Sequence, residues 1–116
     1  MTRPLDGITV VSLEHAVAAP FCTRQLADLG ARVIKVERPD GGDDSRHIGP
    51  FKAEGDPESA YFASINRGKQ SIALNLKDAG DRAIFEALLA RADVLVENYR
   101  PGVMASLGFG WEALHA

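Results

Sequence analysis

Cysteine occurs once, as Cys22, in a chain of 116 residues. One thiol cannot close an internal disulfide, so stability must come from a packed core, and a reducing, cytoplasmic setting is the simple expectation. Positive charge is not in excess: 13 Lys and Arg against 16 Asp and Glu leave a net charge of −3. A general nucleic-acid binder needs the opposite balance, so any work done by cations belongs to local clusters. Long apolar runs are missing as well. No stretch approaches the roughly 20 apolar residues of a membrane span. Glu14 and His15 break the first apolar run early, and no cleavage pattern of a signal peptide follows. There is no Ser-His-Asp grouping, no metal-ligand spacing and no internal repeat. The first glycine-poor loop lacks G-x-G-x-x-G and offers Ala16, Ala18 and Ala19 instead, although Glu37 stands where a ribose-binding acid would be expected. That is half of a dinucleotide motif.

What is present is the pattern of a small folded domain, with 46% apolar and 25% charged residues. "ITVVSL", residues 8–13, is a β-branched run after an Asp-Gly turn and reads as a buried strand. Pro20 suits the first turn of a helix whose apolar stripe is Phe21, Cys22, Leu26 and Leu29, and Gly30 suits its end. "RVIKVE", 32–37, is the next strand. Strand, helix and strand joined by short loops predict a parallel pair with a right-handed crossover. A long polar segment then runs over 38–59, and "AYFASIN" fits either a short helix or an extended piece. "QSIALNL" alternates Ile72, Leu74 and Leu76 against polar or small residues, so a strand over 71–76 with one buried face is expected. A helix over 79–91 carries Ile84, Phe85, Leu88 and Leu89 on its apolar stripe, with Asp78 and Asp81 at its positive end. "DVLVE", 93–97, is a fourth strand, followed by a loop and short helices. The order predicts an open α/β sheet of doubly wound type, with ligands expected outside the carboxyl ends of its strands.

Arg38, Lys77 and Arg100 follow predicted strands, and guanidinium and ammonium groups suit phosphate oxygens. Their placement predicts convergence on one anionic ligand. Arg67 and Lys69 read as surface residues, His15 as structural, Cys22 as inert helix packing and Trp111 as packing for the last helix. Asp40, Asp43 and Asp44 fall in the polar loop, where a carboxylate is expected to be solvated.

Three blocks, "EHAVAAPFCTRQLADLGARVIKVERPDGGDDSR", "NRGKQSIALNLK" and "ADVLVENYRPGVMASLGFGWEAL", together resemble the start of family III CoA-transferases. The family includes formyl-CoA and carnitine CoA-transferases and the α-methylacyl-CoA racemases. The resemblance runs from Leu5 to Leu114. It implies that residues 1–116 are the amino-terminal part of a Rossmann-like CoA-binding domain. It also implies that the site is lined by Val17 and Ala18, by Arg38, by Leu74, Asn75, Leu76 and Lys77, and by Asn98, Tyr99 and Arg100. It implies coenzyme A as part of the substrate acyl-CoA, a carboxylic acid as partner in the exchange, and no metal. The resemblance further implies an interlocked homodimer for the complete enzyme, while the charge balance and the lack of a long apolar run lead us to expect no nucleic-acid or membrane partner.

Two positions depart from the pattern. Val17 stands where formyl-CoA transferases carry a glutamine near the reacting acyl group, which counts against a formyl or oxalate substrate. Ser106 stands where many relatives carry an arginine toward the coenzyme. The family's aspartate nucleophile is expected beyond Ala116, so no catalytic residue is assigned in this chain. Transferase is the first reading, and "YFASIN" before the third strand favours it. A racemase of the same fold and a non-catalytic CoA-binding fragment are the alternatives.

Overall fold

A computed structural model describes residues 2–50 and 58–116. The part of the predicted polar loop over 51–57 lies outside the described residues. The chain runs β1 (Thr9–Leu13), α1 (Ala18–Asp28), β2 (Arg32–Glu37), a 3₁₀ turn (Asp44–His47), α2 (Ala60–Asn66), β3 (Gln70–Ala73), α3 (Ala79–Arg91), β4 (Val94–Glu97), α4 (Val103–Ser106) and α5 (Trp111–Leu114). All strand pairings are parallel and the order is β3-β2-β1-β4. The predicted α/β sheet of parallel strands flanked by helices is therefore the observed one. "AYFASIN", undecided from its pattern, is the helix α2, capped by the Ser59 hydroxyl accepting from the Phe62 N–H.

Successive crossovers place β2 and then β3 to one side of β1, whereas β4 returns to the other side. The winding thus reverses between β1 and β4, and every strand presents its carboxyl end at the same sheet edge. At the opposite edge Asp93 fixes the register of β4: its carboxylate accepts from the Thr9 N–H and its own N–H donates to the Thr9 carbonyl, both at 2.9 Å.

Side-chain alternation along the strands divides the core in two. On one face Val11, Leu13 and Val36 meet Leu74, Phe85 and Phe109. Phe85 is fully buried and sits edge-to-face on Phe109 at 4.9 Å, and Leu88 and Leu89 pack partly buried on the same core, whereas Ile84, expected on this stripe, is exposed. On the other face Val10 and Val33 pack on Ala27 and Ala31. Gly30 ends α1 at φ +110°, and any Cβ there would press into Asp6 Oδ1.

Several expectations need correction. The buried face of α1 is Ala19, Pro20, Thr23 and Ala27. Phe21, Cys22 and Leu29, expected on its packed stripe, are exposed, because small residues let the helix lie close to the sheet. β3 stops at Ala73 rather than 76: the Leu74 N–H still reaches the Glu37 carbonyl at 2.9 Å, but the Asn75 N–H turns to the Asp81 carboxylate at 2.8 Å. Trp111 does not pack a helix; it is 77% exposed and stacks on His115. Among the described residues no helix is long and apolar enough to cross a membrane.

Candidate functional site

A cleft of about 530 Å³ opens at the carboxyl edge of the sheet. Its lining is largely apolar, from Leu13, Val36, Leu74 and Leu76, with Val103 of α4 and Leu107 just after that helix. Arg38 and Lys77 stand at its rim with Asp40, Asn75 and Tyr99. The arrangement follows from local structure. Arg38 is the first residue after β2, and the 74–77 turn is held by Asp81 of α3, which is itself capped by Asp78 at 3.0 Å. Arg38 is half exposed and lies 3.7 Å from Asp40, with a second contact to Asp44. Lys77 makes no ion pair among the described residues. The cleft can therefore hold an elongated ligand with an apolar body and an anionic end.

A smaller adjoining hollow of about 240 Å³ shares Val36, Glu37, Arg38 and Tyr99 with the cleft, and Glu14, His15 and Asp43 also line it. Here the loops after β1 and β4 meet. Asn98 accepts from the His15 N–H at 3.1 Å and donates to the His15 carbonyl at 2.9 Å, and the His15 ring stacks on Tyr99 at 5.7 Å. Burial, with the nearby Glu97 charge, raises the Tyr99 phenol above its ordinary range, so it enters the site as a neutral donor.

Behind this edge lies a buried ionic network that the sequence pattern did not disclose. Lys35, 1% exposed, donates to Asp43 at 2.7 Å and to Asn66 at 3.0 Å, and lies 3.7 Å from Glu14. Lys69 donates to Glu14 and Asn66, both at 2.8 Å, and to the Pro20 carbonyl at 2.9 Å. Thr23 donates to the second Glu14 oxygen at 2.7 Å. Lys69 is therefore not a surface residue. Burial pushes its ammonium down and its bond to Glu14 opposes that. Asp43 is not a solvated loop carboxylate either: burial raises its pKa, but bonds from Lys35 and Ser45 outweigh burial and leave it below its ordinary value. One signal was available. A lysine inside the apolar run "VIKV" must find a buried partner on the sheet's covered face.

Glu37 is equally committed. Burial raises its pKa, yet bonds from Arg46, Ser71 and the Asp43 N–H bring it down to about 2. Arg46 engages both carboxylate oxygens at 2.7 Å. With those oxygens occupied, Glu37 is not placed to hold a ribose.

Of the residues assigned by resemblance, the structure brings Arg38, Leu74, Asn75, Leu76, Lys77 and Tyr99 together around one cleft. Asn98 is bonded behind it to His15. Val17 caps α1 and Ala18 begins it; both are exposed and lie outside the cleft's lining, as does the exposed Arg100. Arg67 is a surface residue paired with Asp28 at 2.8 Å. No group of three His, Cys, Asp or Glu side chains among the described residues is spaced to hold a metal ion.

Comparison with known proteins covers nearly the whole chain. The chain is 55% identical over 111 residues to the acetyl-CoA:oxalate CoA-transferase of Acetobacter aceti, covering 96% of this chain and 28% of that protein. It is 49% identical to the succinyl-CoA:glutarate CoA-transferase of Homo sapiens, covering 95% of this chain and 25% of that one. A crystal structure of a CAIB/BAIF family protein from Brucella suis superposes with a TM-score of 0.89 at 42% identity, covering 98% of this chain and 30% of that one. The chain thus spans roughly a quarter to a third of the length of these relatives. The model of CoA-transferase family III matches residues 5–116, and the chain belongs to that family.

Proposed function

We propose that this chain supplies part of the coenzyme A site of an enzyme that moves CoA from an acyl-CoA to a carboxylic acid. The observation that carries this reading is Arg38 and Lys77 at the rim of a largely apolar cleft, outside the carboxyl ends of parallel strands. Phosphates of the coenzyme would meet these cations, and the pantetheine and acyl chain would lie on Leu13, Val36, Leu74 and Leu76. The relatives named above are CoA-transferases, which favours transfer over racemisation. The first is named for oxalate, which keeps a small dicarboxylic acid among the acceptors to test beside the reading of Val17.

The buried carboxylates described here are committed elsewhere. Asp43 is bound to Lys35 and Glu37 to Arg46, while the more exposed Asp28 is held low by Arg67. A nucleophile needs a free oxygen against the acyl carbon. We assign that role to an aspartate beyond Ala116. Its carboxylate attacks the thioester carbonyl, CoA leaves as thiolate, and the thiolate returns to the resulting anhydride to give an aspartyl-CoA thioester and the free acid. The complete enzyme is proposed to be a cytoplasmic, interlocked homodimer. The exposed apolar Val17, Phe21 and Trp111 are surfaces such an assembly would cover.

Incubating the full-length protein with an acyl-CoA and trapping with hydroxylamine tests the assignment. A modified aspartate outside residues 1–116 is expected. A modified carboxylate inside them, or exchange of the α-proton without CoA transfer, would overturn it.

A further inference from the structure

The loop between β1 and α1 is held in an unfavourable backbone conformation. Ala16 has φ +62°, and it is the one non-glycine residue with positive φ among those described. An alanine there costs free energy unless neighbours fix it. The Ala16 N–H donates to Asp43 Oδ1 at 3.2 Å. The same oxygen accepts from the Ser45 N–H at 2.9 Å and the Ser45 hydroxyl at 2.8 Å, while Oδ2 takes Lys35 at 2.7 Å. Asp43 thus links β2, the 3₁₀ turn and the β1–α1 loop. From the other side Asn98 holds His15, the residue before Ala16. The loop is clamped between two polar side chains that come from opposite sides of β1.

We propose that Asp43 is a positioning residue, whose carboxylate fixes Ala16 and so aims the His15–Ala18 loop at the ligand edge of the sheet. The inference rests on the coenzyme reading of that edge. It also separates two roles that Asp43 combines. As the counter-ion of Lys35 it only neutralises a buried charge. As the acceptor for Ala16 it sets a loop whose misplacement by an ångström slows chemistry while leaving distant binding contacts intact.

Paired variants of the full-length protein distinguish these roles. Lys35→Met/Asp43→Asn and Lys35→Met/Asp43→Ala both remove the Lys35–Asp43 ion pair whole, which avoids leaving either charge stranded. Only the first keeps an oxygen for Ala16, and the donors of Ser45 hold the amide oxygen on that side. Lys35→Met/Asp43→Asn is expected to keep kcat within about threefold of the parent, and Lys35→Met/Asp43→Ala to lose about 100-fold in kcat with KM for acyl-CoA little changed. Amide hydrogen exchange at Ala16 is expected to be slow in the first and fast in the second. Equal kcat and equal exchange in the two variants would overturn the proposal. If the parent transfers no CoA at all, the functional reading fails, and the exchange comparison still decides whether Asp43 fixes the loop.

Discussion

Asn98 uses both ends of its side-chain amide on the backbone of His15, accepting from the N–H at 3.1 Å and donating to the carbonyl at 2.9 Å. It thereby acts as one more rung of the sheet, placed where β1 and β4 have ended and the winding of the fold reverses. Nothing else among the described hydrogen bonds ties these two loops together so closely. The two loops are thereby joined at the point where a doubly wound sheet binds its ligand.

Asn98→Ala removes both bonds without stranding a charge. Because the site is exposed, water compensates part of the loss, and a destabilisation of about 1 kcal/mol is expected. Urea unfolding of the full-length protein measures it. Replacement by Asp should cost more, since a carboxylate would face the His15 carbonyl in place of a donor. Equal stability of parent and Asn98→Ala would show that the amide clasp is not formed.

The ionic pair of Glu37 and Arg46 predicts an acid limb of stability. The folded pKa of Glu37 is about 2, below its ordinary 4.5. A carboxylate with a depressed folded pKa stabilises fully above its unfolded value, and that contribution disappears as pH falls through the folded one. The loss therefore lies between pH 4.5 and about 2, and Asp43, shifted in the same direction, adds to it. A shift of this size corresponds to roughly 3 kcal/mol. Glu37→Gln should flatten the limb in chemical denaturation measured across that range. An unchanged slope would mean that the carboxylate is not held as drawn.

Lys69 gives a sharper contrast. A solvated surface lysine can be truncated at a cost within about 0.5 kcal/mol. With its side chain 2% exposed and bonded to Glu14, Lys69→Ala leaves a buried carboxylate short of its partner, and a loss of about 3–5 kcal/mol is expected. Lys69→Met with Glu14→Gln should recover much of it. A near-neutral Lys69→Ala would return the residue to the surface.

Much of the fold was legible because it is written in short-range patterns. β1 and β2 are β-branched runs, and α3 is capped by Asp78 and runs over the predicted residues. The rim of the cleft was legible in part for the same reason: Arg38 and Lys77 come after strands in sequence and parallel packing brings them to one edge, whereas Arg100, expected there by the same rule, lies outside the cleft's lining. What escaped depends on partners distant in the chain. Buried Lys69 is matched by Glu14, 55 positions away in the chain, and buried Asp43 by Lys35 on the sheet. Hydrophobicity misled on α1, where close approach to the sheet selects Ala19, Thr23 and Ala27 over the larger Phe21 and Leu29. Alternation misled on β3, since Leu74 and Leu76 continue the apolar pattern through a turn that Asp81 has already diverted.

The central claim is that the cleft beside Arg38 and Lys77 receives coenzyme A. Calorimetric titration of CoA into the full-length protein tests it most directly. Saturable binding is expected, with Arg38→Ala and Lys77→Ala each weakening it by about 1–3 kcal/mol through loss of a charge-assisted phosphate contact. Undiminished affinity in the double variant, or no binding by the parent protein, would contradict the account.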